Sequence, residues 1–142
     1  MSQPATEPDC VFCSIASGAI TARRVYEDEH AVAFLDQGAW HRGHTLVIPR
    51  RHTPNLLSGP PLMAALGPAI DATARLLVDR LGADGLNLVS SAGDAAGQTV
   101  MHLHIHLVPR YADRPGLPYL VDDADVAAAE LDAVHAQIMS GR

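Results

Sequence analysis

The sequence predicts an α+β fold: a five-stranded, mainly antiparallel sheet with one long central helix and a further helix at the C-terminal end. Three observations carry this. Short apolar and β-branched runs follow one another without strict strand–helix alternation. Leu62, Leu66, Ile70, Thr73, Leu77 and Leu81 recur at helical spacing, and Leu76 widens the stripe. Between Gln98 and Arg110, His102, His104 and His106 alternate with Leu103, Ile105 and Leu107, a period of two that marks a strand.

In chain order, residues 1–9 read as a loose, polar, proline-bearing tail, and residues 10–142 as a single domain with its core in 10–110. Cys10 to Gly18 predicts a short helix with Val11, Phe12 and Ile15 on one side and Gly18 as its stop. Arg23–Glu27 and Ala31–Asp36 read as a hairpin around the turn Asp28-Glu29-His30. Gln37 to Gly43 is a loop holding the only tryptophan, Trp40, read as a packing or interface residue. His44–Pro49 is a third strand, and Arg50 to Pro61 a loop. The central helix covers Leu62–Leu81, with a kink or a late start at Pro68, which lacks an N–H donor; Gly82 ends it. Leu86–Ser90 is the fourth strand, Ser91–Gly97 a glycine-bearing loop, and the histidine run the fifth strand. Tyr111–Val121 is an extended loop, and Asp122–Met139 a last helix with Val126, Val134 and Ile138 on its apolar side.

A length of 142 residues suits one domain with a sizeable core, and 48% hydrophobic content suits a globule. A net charge of −6 argues against a nucleic-acid binder with a broad basic face, yet leaves room for a small anionic ligand. No run reaches the length of a membrane-spanning helix, and the first residues do not resemble a signal peptide, so the expected location is cytoplasmic.

On a strand, alternate side chains share a face. His102, His104 and His106 therefore line one side, successive ones about 6.6–6.8 Å apart along the strand, while the leucines and isoleucine between them face a core. Just before them runs Gly93-Asp94-Ala95-Ala96-Gly97-Gln98-Thr99. Its glycines let backbone N–H groups approach an anion. An imidazole beside such a cradle can attack phosphorus, while a second holds anionic oxygens. Three strand histidines on one catalytic zinc are disfavoured, because residues four apart on a strand do not converge on a metal with bonds of about 2.0–2.1 Å.

Cys10 and Cys13 lie too close together to staple a fold. A redox role would want a thioredoxin-like βαβ setting, which this chain lacks. A structural zinc needs four ligands; His52 and one histidine of the triple would complete a Cys₂His₂ set assembled by the fold.

The histidine run with Ala96-Gly97-Gln98-Thr99-Val100 before it resembles the histidine-triad (HIT) family of nucleotide hydrolases and transferases. Cys10-Val11-Phe12-Cys13-Ser14-Ile15, Val25-Tyr26-Glu27-Asp28, Ala33-Phe34-Leu35-Asp36 and Gly43-His44-Thr45-Leu46-Val47-Ile48-Pro49 follow the family's order. The Cys-x-x-Cys pair and Val108-Pro109-Arg110 look most like its bacterial Hint-type branch. The resemblance implies a HIT-like fold and a homodimer whose two sheets join. It implies a purine nucleoside monophosphate unit attacked at its α-phosphate by His104, through a nucleotidyl-histidine. His106 would bond phosphate or leaving group, and His44 would orient the triad. Gln98, Thr99 and the loop at Gly97 would contact phosphate or leaving group, Asp36 the ribose hydroxyls, and Phe12, Ile15 and Phe34 the base. In zinc-bearing members the ligands would be Cys10, Cys13, His52 and His102.

One departure stands out. Ser91-Ala92 precedes Gly93 where the family commonly has an asparagine, so phosphate or ribose contact from this edge rests on a shorter hydroxyl. The leading expectation is a nucleoside phosphoramidase-like hydrolase. The alternatives are a dinucleoside polyphosphate hydrolase of the fragile-histidine-triad type and a nucleotide-binding scaffold with weak catalysis.

Overall fold

A computed structural model describes residues 6–114 and 126–140. The expected tail at 1–9 and the loop and helix start at 111–125 lie partly outside these residues.

Helix α1 is Val11–Ser17. The Cys10 sulfur caps it by accepting the Cys13 N–H, and Gly18 closes it at φ +88°, a left-handed conformation that glycine takes without a Cβ clash. Strand β1 (Arg24–Glu27) turns back into β2 (Ala31–Leu35) as expected. The Asp28 carboxylate builds that turn by accepting the N–H groups of His30 and Ala31, each at 2.8 Å. Strand β3 is Thr45–Pro49, β4 is Gly85–Val89 and β5 is Ile105–Arg110. They form one sheet in the order β1-β2-β3-β5-β4, every pairing antiparallel.

Helix α2 (Met63–Leu81) crosses from β3 to β4 and covers one face of the sheet. It buries Leu66, Ala69, Thr73 and Leu77, the row that helical spacing requires. Pro68 sits within it rather than starting it: five residues precede Pro68, which has no N–H to donate to the carbonyl of Ala64 one turn back. Alternation sorts the strands cleanly. Ala31, Ala33, Val47, Leu103, Ile105 and Leu107 pack toward α2. Val32, Phe34, Leu46 and Ile48 pack with Phe12, Ile15 and Ala16 of α1 on the opposite face.

The histidine run differs from expectation at its start. The ladder begins only at Ile105, so His102 and His104 precede it. The cause lies in the neighbouring strand: β3 ends at Pro49, which has no N–H to continue the ladder, and Leu103 instead donates to Thr53 O at 2.7 Å. Side-chain alternation survives, with Leu103 in the α2-side core and all three imidazoles on the α1 side.

Helix α3 spans Ala128–Met139; the expected beginning at Asp122 falls outside the described residues. None of its residues is buried, and Leu131, Val134 and Ile138 of its apolar side are exposed.

Candidate functional site

Four rings stand in a row on the α1 side of the sheet. Phe12, projected by α1, meets His104 edge-on at 5.2 Å between centroids; His104 meets His106 at 5.0 Å; Trp40 stacks on His106 at 4.3 Å and 18°. His104 and His106 are each 8% exposed, so their outer edges reach solvent while the rings are packed.

The partners of each imidazole fix where its protons sit. His104 Nδ1 lies 2.7 Å from the His102 carbonyl oxygen, which only accepts. The Nδ1 of His104 therefore carries the hydrogen, and Nε2 presents a bare lone pair outward. The carbonyl of His104 is held by the Ser90 hydroxyl at 2.9 Å.

A second chain of bonds begins at a backbone donor. Trp40 N–H points at His44 Nδ1 at 3.0 Å, so that nitrogen accepts. His44 then holds its hydrogen on Nε2 and donates to His106 Nδ1 at 2.9 Å. His106 is left with its hydrogen on Nε2, an outward donor beside the lone pair of His104. Burial favours this neutral arrangement. It lowers the pKa of His44, with Asp36 opposing and His104 adding to the fall. It pushes His106 down to about 4, with the charges of His104 and His44 adding and Asp36 opposing. Asp36 Oδ2 stands 3.6 Å from His44 Nδ1, a contact that becomes an ion pair only if His44 is protonated. The shorter Trp40 bond needs the neutral form. Asp36 Oδ1 meanwhile accepts Gly38 N–H at 2.8 Å.

Gly93 at φ +91° and Gly97 at φ +87° bracket a single 3₁₀ turn, Asp94–Ala96. Gln98 is buried and its amide is fully engaged. Its nitrogen donates to Pro54 O at 2.7 Å and Val100 O at 2.9 Å, while its oxygen accepts Gly93 N–H at 2.9 Å and Asn55 Nδ2 at 3.0 Å. The residue thus braces the loop from within, with no amide hydrogen left to aim at a ligand. Thr99 is exposed at the loop's end, and Ser91 is half-buried next to Ser90. Neither hydroxyl is hydrogen-bonded among the described residues.

Phe12, Ile15 and Phe34 are brought together in the buried core between α1 and the sheet, with Phe12 edge-on to Phe34 at 5.7 Å.

The second cluster also assembles. Cys10, Cys13, His52 and His102 point one ligand atom each at a common centre. His102 Nε2 donates to Pro49 O at 2.9 Å, which leaves its Nδ1 as a lone pair. That nitrogen stands 3.2 Å from His52 Nδ1, 3.4 Å from Cys10 Sγ and 3.5 Å from Cys13 Sγ; His52 Nδ1 is 3.4 Å from Cys13 Sγ. A tetrahedral zinc with bonds of about 2.0–2.1 Å to nitrogen and about 2.3 Å to sulfur needs separations of about 3.3–3.4 Å between two nitrogens, about 3.5–3.6 Å between nitrogen and sulfur and about 3.8 Å between two sulfurs. The donor set fits. Burial pushes the Cys13 thiol up to about 11, so a thiolate there needs a cation to replace its proton.

Sequence reasoning passed over Ser90 and Asn55, and read Trp40 as a packing or interface residue. Trp40 is 59% exposed and packs on the triad, stacked on His106 and 4.5 Å from His44 as well. Only its position four residues before His44 hinted at this; Ser90 and Asn55 gave no signal.

The geometry agrees with what comparison finds. A family model described as the HIT domain matches residues 17–113. The chain is 41% identical to Protein hit of Bacillus subtilis over 109 residues, covering 76% of this chain and 75% of that one. It is 39% identical over 103 residues to an Arabidopsis thaliana protein named adenylylsulfatase HINT3, covering 72% of this chain and 52% of that one. Among solved structures, a protein of Streptococcus mutans UA159 superposes with a TM-score of 0.87 at 38% identity, over 99% of this chain and 90% of that one. With the family model spanning more than half the chain and relatives aligning along most of its length, the protein belongs to the HIT family.

Proposed function

We propose that the protein is a purine nucleotide hydrolase of the nucleoside phosphoramidase kind, acting at the α-phosphate through a nucleotidyl group on His104. One observation supports this above the others: the bond from His104 Nδ1 to the His102 carbonyl, which leaves Nε2 as a nucleophile beside the outward donor of His106. The relative named as an adenylylsulfatase agrees with chemistry at an adenylyl phosphorus.

In the first step His104 Nε2 bonds to phosphorus, and the bond from phosphorus to the leaving nitrogen breaks. The electron pair goes to that nitrogen, which takes a proton from solution. The imidazole keeps its Nδ1 hydrogen, and the His102 carbonyl stabilises the charge gained. His106 Nε2–H donates to phosphate oxygen or to the departing atom, held in line by His44. In the second step water bonds to phosphorus, the bond to Nε2 breaks with its pair returning to His104, and the water's proton passes to solution. The glycine loop, braced by Gln98, and the Thr99 hydroxyl serve the phosphate. Asp36 and Ser91 serve the ribose edge, and Phe12, Ile15 and Phe34 the base.

Zinc on Cys10, Cys13, His52 and His102 is structural in this reading: it fastens α1 to the segment before β5. A homodimer is supported by the exposed apolar side of α3 and by Leu88, 51% exposed on the edge strand β4. No helix among the described residues is long and apolar enough to cross a membrane, and a cytoplasmic location belongs to the same proposal.

The test is turnover of adenosine 5′-phosphoramidate. His104→Ala should lower kcat at least about 10³-fold while AMP binding stays measurable. Wild-type kcat in that variant would refute the proposal. Nucleotide binding without turnover in the unmutated protein would favour the scaffold reading instead.

A further inference from the structure

We propose that Trp40 is a platform for the departing half of the substrate, and that it selects leaving groups carrying a planar aromatic ring. The inference rests on His104 as the nucleophile and adds the specificity of the opposite side of the site.

The row of rings sets the direction. Phe12 flanks His104 on one side and His106 flanks it on the other, with Trp40 beyond His106. A phosphorus held at His104 with its base toward Phe12 sends its leaving group past His106, toward the indole. Trp40 stands ready there. One side of it lies on the His106 and His44 rings. Its backbone N–H is tied to His44, and the Asp36–Gly38 turn precedes it. An indole is larger than the imidazole under it, and 59% of the residue remains exposed. Leaving so large an apolar ring in water at a polar site forgoes its burial, unless a ligand covers it.

The ground beside the ring is concave. A cleft of about 690 Å³ opens between the loop of Ala39, Trp40, His41 and Arg42 and the segment of Tyr111 and Arg114. Tyr111 is fixed there: His41 meets it edge-on at 5.4 Å, and the Arg42 guanidinium lies 5.8 Å over its ring. A planar group stacked on Trp40 would thus border a cleft rimmed by Tyr111 and the Arg42 guanidinium that lies over it. Aliphatic leaving groups gain less from the indole face, because the stacking preference belongs to flat π-systems.

The experiment uses two adenosine 5′-phosphoramidates of similar size, one made from benzylamine and one from cyclohexylmethylamine. The ratio of their kcat/KM values is compared in wild type, Trp40→Leu and Trp40→Phe. The aromatic-to-aliphatic ratio should fall at least about fivefold in Trp40→Leu and stay within about twofold of wild type in Trp40→Phe. Equal slowing of both substrates in Trp40→Leu, with the ratio unchanged, would overturn the proposal and leave Trp40 as a cover for His106. His104→Ala protein, which keeps the indole, gives a second readout. The benzyl compound should change the emission of the single tryptophan more than the cyclohexylmethyl compound, and identical responses would count against the platform. Wild-type turnover of both compounds by His104→Ala would instead sink the nucleophile assignment, whatever the ratio in the Trp40 variants.

Discussion

A carbonyl oxygen accepts and a backbone N–H donates, and those two facts orient every imidazole of the site. His104 is set by the His102 carbonyl, and His44 and His106 by the Trp40 N–H. The sequence displayed the histidines but not these bonds, because both depend on backbone groups that only the fold brings near. Gln98 makes the same point from the other side. Its type and place suggested a ligand contact, yet its four bonds run inward to the loop and to Asn55, a residue forty-three positions earlier. The depressed pKa of His106 carries a stability prediction. Burial holds it near about 4, against an ordinary value of 6.5 in the unfolded chain. Between those values the unfolded chain binds the extra proton and the native state does not, so stability falls as pH drops from 6.5 toward 4. The full shift corresponds to roughly 3 kcal/mol from this one residue. Urea unfolding at pH 7 and pH 4.5 should show the loss, and His106→Gln should reduce it; an identical pH dependence in that variant would contradict the assignment.

At the level of elements, periodicity gave the strands to within a residue at most ends, since inward and outward positions alternate on both sides of the sheet. It failed where an element stops for reasons outside its own sequence. The fifth strand looked continuous from Gln98, but its neighbour ends at Pro49, so the ladder waits until Ile105. Helix α2 shows a different gap between pattern and chemistry. Thr73 sits in the buried row at 0% exposure, and its hydroxyl has no hydrogen-bond partner. Thr73→Val keeps the shape and removes the orphaned group, and should raise stability by about 1 kcal/mol in thermal or urea unfolding. A loss of stability would show that the hydroxyl is satisfied after all. Immediately before His44, Gly43 at φ +87° closes against Leu81 of the same helix and Pro109, so α2 also limits what can stand beside the site.

Across the whole molecule, the two clusters share one short segment: His102 belongs to the thiol–imidazole set, while its carbonyl orients His104. A structural ion there would steady the nucleophile through the backbone, two residues away. Purified protein should hold about one zinc per chain by elemental analysis, and stripping it with a chelator should lower Tm by at least about 10 °C. Unchanged Tm with the metal gone would assign the four ligands to some other purpose. The joint arrangement could not be read from spacing, because Cys10 and Cys13 reach His52 and His102 only when α1 folds onto the sheet. The residue 104 imidazole remains the centre of the account, and intact-protein and peptide mass spectrometry test it most directly. After rapid quenching with adenosine 5′-phosphoramidate present, one adenylyl group should be found on the peptide carrying His104, and none in His104→Ala. Steady turnover with no adenylylated protein, or with the group on any other residue, would contradict it.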